Sequence, residues 1–145
     1  MPLSLTDRLA GFTNPHDGAQ LQELDETVGQ VRVDSCGEAE IRAMLSVFER
    51  FPDHDGYGVF WSILHCLEKC PRYEPLLVES VARAPVEFNL NMVNRLLNSG
   101  ITEVDGQSLL DVLQSAAASS EASPSTKEFA SSFIQHQLGR NHAET

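Results

Sequence analysis

An all-α fold is the expectation for this 145-residue chain, and three features lead to it. Apolar residues recur at helical steps of three and four along most of the sequence. Strand-like alternation is nearly absent. The block from Phe51 to Ile101, FPDHDGYGVFWSILHCLEKCPRYEPLLVESVARAPVEFNLNMVNRLLNSGI, reads as consecutive amphipathic helices separated by very short breaks.

The elements follow in order. Leu5, Leu9 and Phe12 support a short helix over 4–12, closed by the turn TNPHDG at 13–18. Residues 19–28 carry Leu21, Leu24 and Val28 on one side. Residues 28–37 alternate Val31 and Val33 with polar residues and suggest a short extended connector. The pattern then firms. Residues 38–51 place Ile41, Met44, Leu45 and Phe48 on one face, and PDHDGYG at 52–58 is a loop. Phe60, Ile63, Leu64 and Leu67 stripe a helix over 59–69 that Pro71 ends, and Leu76, Leu77 and Val81 stripe the next, over 73–84, that Pro85 ends. Residues 86–98 carry Leu90, Val93, Leu96 and Leu97 and stop at Asn98-Ser99-Gly100. Leu109, Leu110, Val112, Leu113 and Ala116 define a helix over 107–119. After the Ser-rich loop SSEASPS, Ser125 can cap a last helix over 126–138 with Phe129, Phe133, Ile134 and Leu138 inward. The tail GRNHAET is expected to fray.

The last six helices pair as 38–51 with 59–69, 73–84 with 86–98, and 107–119 with 126–138. The pairs start at 38, 73 and 107, a spacing of 35 and then 34 residues. That length suits helical hairpins that bury their apolar faces by stacking on neighbours. The expectation is therefore a single domain: an N-terminal helical cap over 1–35, three stacked antiparallel hairpins over 36–138 in the manner of a HEAT-like α-solenoid, and a frayed 139–145. An irregular α-bundle is the competing architecture.

Composition narrows the function classes. The chain has 21 Asp plus Glu against 10 Lys plus Arg, a net charge of −11. Residues 1–55 hold 11 of those acids against four arginines. Such a field repels nucleic-acid phosphates and anionic lipid and speeds encounter with a cationic partner. A surplus of carboxylates also serves solubility alone. No run approaches the roughly 18 apolar residues of a membrane span. MPLSLTDRLAGF lacks the basic start and apolar run of a signal peptide, so cytoplasmic residence is the expectation. Three cysteines in no framework spacing fit free thiols in a reducing compartment.

Several polar groups could carry chemistry. Asp53-His54-Asp55-Gly56 could bind a hard cation or act in acid–base work, but positions that a calcium loop needs for ligands fall on Tyr57, Trp61 and Leu64. The plainer alternative is a solvated turn whose aspartates bond local backbone. Cys36, Cys66 and Cys70 with His65 lack paired Cys-x-x-Cys elements, and read as a buried Cys66 with a more exposed Cys70 at a helix end. His16, His136 and His142 read as isolated and exposed. Asn91, Asn94 and Asn98 form a polar stripe that is either a recognition face or a seam to the next hairpin. Tyr57 and Trp61, four apart, share a helical face beside Asp53 and Asp55 and could anchor an Arg- or Lys-rich partner, or Trp61 could pack between hairpins. No Gly-x-Ser-x-Gly, no Cys–His pairing in a convincing context and no phosphate loop is present, so no catalytic residue, metal or cofactor is assigned.

FPDHDGYGVFWSILHCLE followed by YEPLLVESVARAPVEFNLNMVNRLLNSGI resembles small bacterial immunity proteins of polymorphic-toxin and contact-dependent inhibition systems, over roughly residues 45–101. The resemblance implies a small, acidic cytoplasmic protein that plugs or masks a cognate toxin domain, a basic nuclease among the possibilities. It carries no residue roles with it. With the charge, it makes Glu23, Asp25, Glu26, Asp53, Asp55, Tyr57 and Trp61 the candidate partner-binding residues, on a monomer or at most a weak dimer. The alternatives are a helical-repeat adaptor that binds a peptide or protein in a cytoplasmic complex, and an enzyme using Asp53, His54 and Asp55.

Overall fold

The computed structural model describes residues 4–143 and is mostly helical. Eight α-helices lie among the described residues: α1 Leu5–Ala10, α2 Gly18–Gly29, α3 Glu38–Arg50, α4 Val59–Lys69, α5 Tyr73–Arg83, α6 Glu87–Asn98, α7 Leu109–Ala117 and α8 Pro124–Ala143. Where the sequence suggests an extended connector, Val33–Ser35 forms a 3-10 turn between the extended residues Arg32 and Cys36. Two-residue strands β1 (Glu103–Val104) and β2 (Gln107–Ser108) pair antiparallel between α6 and α7. The sequence reading holds no such hairpin. Asp105-Gly106 makes it, since both residues take positive φ, 50° and 81°, as a two-residue hairpin turn requires.

Contacts group the chain into two compact units, residues 1–76 and 77–145, with the division inside α5 and therefore inside the second expected hairpin. In the first unit, α1 packs on α3 and α2 on α4. The two helices expected as a cap thus bury Leu9, Phe12, Leu24 and Val28. Their partners contribute Ile41, Met44, Leu45 and Phe48 from α3, and Phe60, Ile63, Leu64 and Leu67 from α4, all buried. Phe12 meets Phe51 and Phe60 edge-on at 5.2 and 6.3 Å between centroids, a favourable geometry for ring quadrupoles. Arg50, at the end of α3, donates from Nη1 to the Phe12 carbonyl at 2.7 Å and from Nη2 to the Leu9 carbonyl at 3.0 Å. One guanidinium therefore ties the end of α3 to the last turn of α1 and to Phe12 just beyond it.

In the second unit, α8 packs on α7 and α6. Asn89 is fully buried because its side chain closes the start of α6: Oδ1 accepts from the Val86 N–H at 2.9 Å, and Nδ2 donates to the Ser80 hydroxyl and the Ala84 carbonyl. α8 departs from expectation. Phe129, Phe133 and Ile134 are only half-buried and Leu138 is exposed, while Thr126, Ala130 and Gln137 face inward. Small Thr126 and Ala130 let the helix approach closely. Gln137 Nε2 donates to Asn94 Oδ1 at 2.7 Å and to Asn98 Oδ1 at 2.8 Å, and Arg140 Nη1 reaches the same Asn98 oxygen. Asn94 and Asn98 are therefore a seam and not a recognition face. These bonds also explain why residues 139–143 are helical where the sequence suggests fraying; 144–145, the end of that tail, lie outside the described residues.

No helix among the described residues is long and apolar enough to cross a membrane.

Candidate functional site

The loop 51–58 is built by backbone that few residues tolerate. Asp53, Gly56, Tyr57 and Gly58 all take positive φ, at 62°, 58°, 50° and 92°. Asp53 and Tyr57 do so without the freedom of glycine, and Tyr57 is an aromatic residue in a region that disfavours bulk. Gly56 has a second constraint. A Cβ there would lie 2.6 Å from Cδ1 of the buried Phe60 ring, so only glycine fits. Asp55 accepts from the Tyr57 N–H at 3.0 Å through Oδ1, and its carbonyl accepts from the Gly58 and Phe60 N–H groups. Local bonding of this kind is what the plain turn reading of Asp53-His54-Asp55 predicts.

His54 holds the loop from within. Its Nδ1 accepts the Gly56 N–H at 2.8 Å, which places the proton of a neutral ring on Nε2. Its ring lies 5.1 Å from that of His16, 5.7 Å from Tyr57 and 6.2 Å from Phe60, edge-on to the first two. His16 Nδ1 is 3.3 Å from the Tyr57 hydroxyl. His16 is thus no isolated histidine: the Asn14-to-Asp17 turn, held by the His16 N–H on Asn14 Oδ1, delivers it to the loop. Nothing in the sequence near His16 signals this, because its partners are about 40 positions away. His136 is exposed, and the His142 side chain lies outside the described residues.

Tyr57 is 70% exposed and Trp61 39% exposed. They do not share a helical face, because Tyr57 sits in the left-handed turn before α4 and the spacing of four does not apply across it. Tyr57 contacts His16 and His54, whereas Trp61 lies against His65 one turn on, ring centroids 6.2 Å apart. Asp53 and Asp55 are exposed on the same loop as Tyr57.

Glu23, Asp25 and Glu26 lie on α2, and all three are exposed. Asp25 and Glu26 stand about two turns from the His16 end of the helix, roughly 12 Å along its axis. Glu23 is engaged: Arg8 Nη2 donates to its Oε1 at 3.0 Å. Glu26 Oε1 accepts from Gln22. The structure therefore brings Asp53, Asp55 and Tyr57 together with His16, which the sequence reading omits, and leaves the α2 carboxylates as a separate strip.

The three cysteines do converge. Cys36, Cys66 and Cys70 are all buried, so Cys70 is not the more exposed thiol the sequence suggests. It follows α4 in extended backbone, and its Sγ donates to the Cys66 carbonyl at 3.4 Å. Burial pushes all three thiols up, Cys70 furthest, with the Cys36 thiol bonded to Cys70. Such thiols are poor nucleophiles near neutral pH. Among the described residues no group of three or more His, Cys, Asp or Glu side chains is placed to hold a metal ion.

Compared with known proteins, the chain matches no family model, no curated protein and no solved structure.

Proposed function

We propose that this chain is an immunity-type protein, which binds a cationic toxin domain and masks its active site or substrate surface. The observation that carries the reading is the loop 53–58: an exposed tyrosine on strained backbone, seated on two imidazoles and flanked by two exposed aspartates. Strain is tolerated where the surroundings over-determine it, and it concentrates at working surfaces. An aromatic anchor beside carboxylates suits an arginine- or lysine-bearing partner. The net charge of −11 supports the same class of partner. The scaffold we infer is the stacked-hairpin one of the sequence, with the α7–α8 pair as its clearest hairpin.

The test is capture of partners from native lysate by the tagged chain, followed by expression of each retained domain with and without it. The expected outcome is a basic domain that stops growth alone and is silenced by the chain, and that escapes the double variant Tyr57→Ala, Asp53→Asn. A retained set of neutral proteins with no effect on growth contradicts the proposal.

One observation favours the adaptor alternative. A groove of about 570 Å³ in the first unit is lined by Cys36, Ile41, Pro71, Arg72, Pro75 and Leu76, apolar enough for an extended peptide. Under that alternative, binding is only modestly sensitive to salt, is indifferent to Tyr57 and is lost on Pro75→Trp.

A further inference from the structure

The turn that carries His16 also borders a pocket, and the pocket has a chemistry of its own. It lies between α1 and α2, with a volume of about 310 Å³. Its floor is apolar. Phe12 and Leu24 are buried there, and Gly11 and Ala19 leave the space above them open. A Cβ built on Gly11 meets only the backbone carbonyls of Arg8 and Asp7, at 3.4 and 3.7 Å, so no side chain fills the hollow.

The rim is acidic. Asp7 stands on one side, exposed, and its carboxylate has no cationic partner among the described residues. Glu23 stands on the other, and both of its side-chain contacts, from Arg8 at 3.0 Å and Thr27 at 3.5 Å, fall on Oε1. Its Oε2 is left to accept from another donor. Arg8, which also lines the pocket, turns its second nitrogen to Gln30 Oε1 at 2.7 Å. An apolar floor under carboxylates suits a group with a hydrocarbon stem and a cationic head. A small inorganic cation would leave the floor unused, and an apolar side chain would leave Asp7 unused.

A relay of hydrogen bonds leads from the pocket wall to the loop. Gln20 on its wall accepts the Thr13 and Asn14 N–H groups through Oε1, Asn14 holds the His16 N–H, and His16 meets the Tyr57 hydroxyl. One hydrogen-bonded turn thus joins the two. We infer that the pocket between α1 and α2 receives one long cationic side chain, an arginine or a lysine, of the same basic partner that docks on Tyr57. This rests on the proposed function for the partner's identity, while the pocket's chemistry is tested without one.

The experiment is a titration of the ¹⁵N-labelled protein, followed by amide chemical shifts, with N-acetyl-arginine amide, N-acetyl-lysine amide and the uncharged isostere N-acetyl-citrulline amide. Saturable shifts confined to residues 7–24 are expected with arginine or lysine, and none with citrulline. Ala19→Phe, which fills the pocket from an exposed position, should abolish them. Asp7→Asn, a surface change that cannot disturb packing, should weaken binding about tenfold, as loss of a charge-assisted bond does. Shifts that never saturate, that spread over the acidic surface, that citrulline reproduces, or that survive both variants overturn the inference. If the pocket is silent while a basic domain is still captured through Tyr57, the pocket falls and the docking proposal stands.

Discussion

Gly56 shows how one residue sets the loop. Its positive φ and the Phe60 ring 2.6 Å from any added Cβ both exclude a side chain. Gly56→Ala is expected to cost about 2–4 kcal/mol, since it combines φ strain with overpacking against a buried aromatic. Urea unfolding measures it, and a change within 0.5 kcal/mol, about the size of a neutral surface substitution, would contradict the geometry. The thiols make a second residue-scale expectation. Burial raises Cys36, Cys66 and Cys70, so the fold holds their protons more tightly than the unfolded chain does. Their contribution to stability is complete below the unfolded thiol value of about 8.5 and is lost as pH rises through the folded values. The urea midpoint should therefore fall as pH is raised from about 8 to about 10, and the fall should be shallower in the variant with all three cysteines changed to alanine. Equal slopes would show that the thiols are not held in this way.

At the scale of elements, helix positions were legible because proline and glycine punctuate the sequence. Pro71 and Pro85 bracket α5, and Asn98-Ser99-Gly100 ends α6, where Gly100 takes a φ of 97°. Apolar periodicity marks the buried faces of α3 and α4; on α6 it marks Leu90, Val93 and Leu96 but not the buried Phe88 and Met92, and Leu97 is only half-buried. It misleads on α8, where small residues and a glutamine bond make Thr126, Ala130 and Gln137 the buried face, and the apolar stripe of Phe129, Phe133, Ile134 and Leu138 lies half-buried or exposed beside it. The candidate loop was only partly legible for a related reason. The acidic cluster and Tyr57 are visible as residue types, but the His16 contact is long-range and the left-handed Tyr57 breaks the helical spacing that sequence reasoning assumed. Asp105-Gly106 was readable as a hairpin turn, yet its strands are two residues long and carry no alternation. The seam yields an expectation of its own. Gln137→Ala leaves the Asn94 carbonyl oxygen buried without its donor, at a cost of about 1–3 kcal/mol. Hydrogen exchange in the last turns of α8 should accelerate in that variant. Unchanged protection there would mean that Gln137 does not anchor the helix.

For the whole molecule, charge and architecture point the same way. A helical scaffold carrying −11 has a potential that favours cationic partners and disfavours phosphate backbones, and the candidate loop offers that potential an aromatic anchor. The two features make separable contributions. Long-range charge governs the association rate and its dependence on salt, whereas a desolvated tyrosine governs dissociation. Asp53→Asn with Asp55→Asn should mainly slow association, and Tyr57→Ala should mainly speed dissociation. The most direct measurement is the dissociation constant of the captured basic domain, determined over a range of salt for the wild-type chain and these variants. Weakening as salt rises, a flatter salt dependence in the aspartate variant, and a loss of about tenfold to a hundredfold for Tyr57→Ala, the scale of an interface hot spot, are the expected results. A dissociation constant indifferent to salt and to all three substitutions would contradict the proposed function.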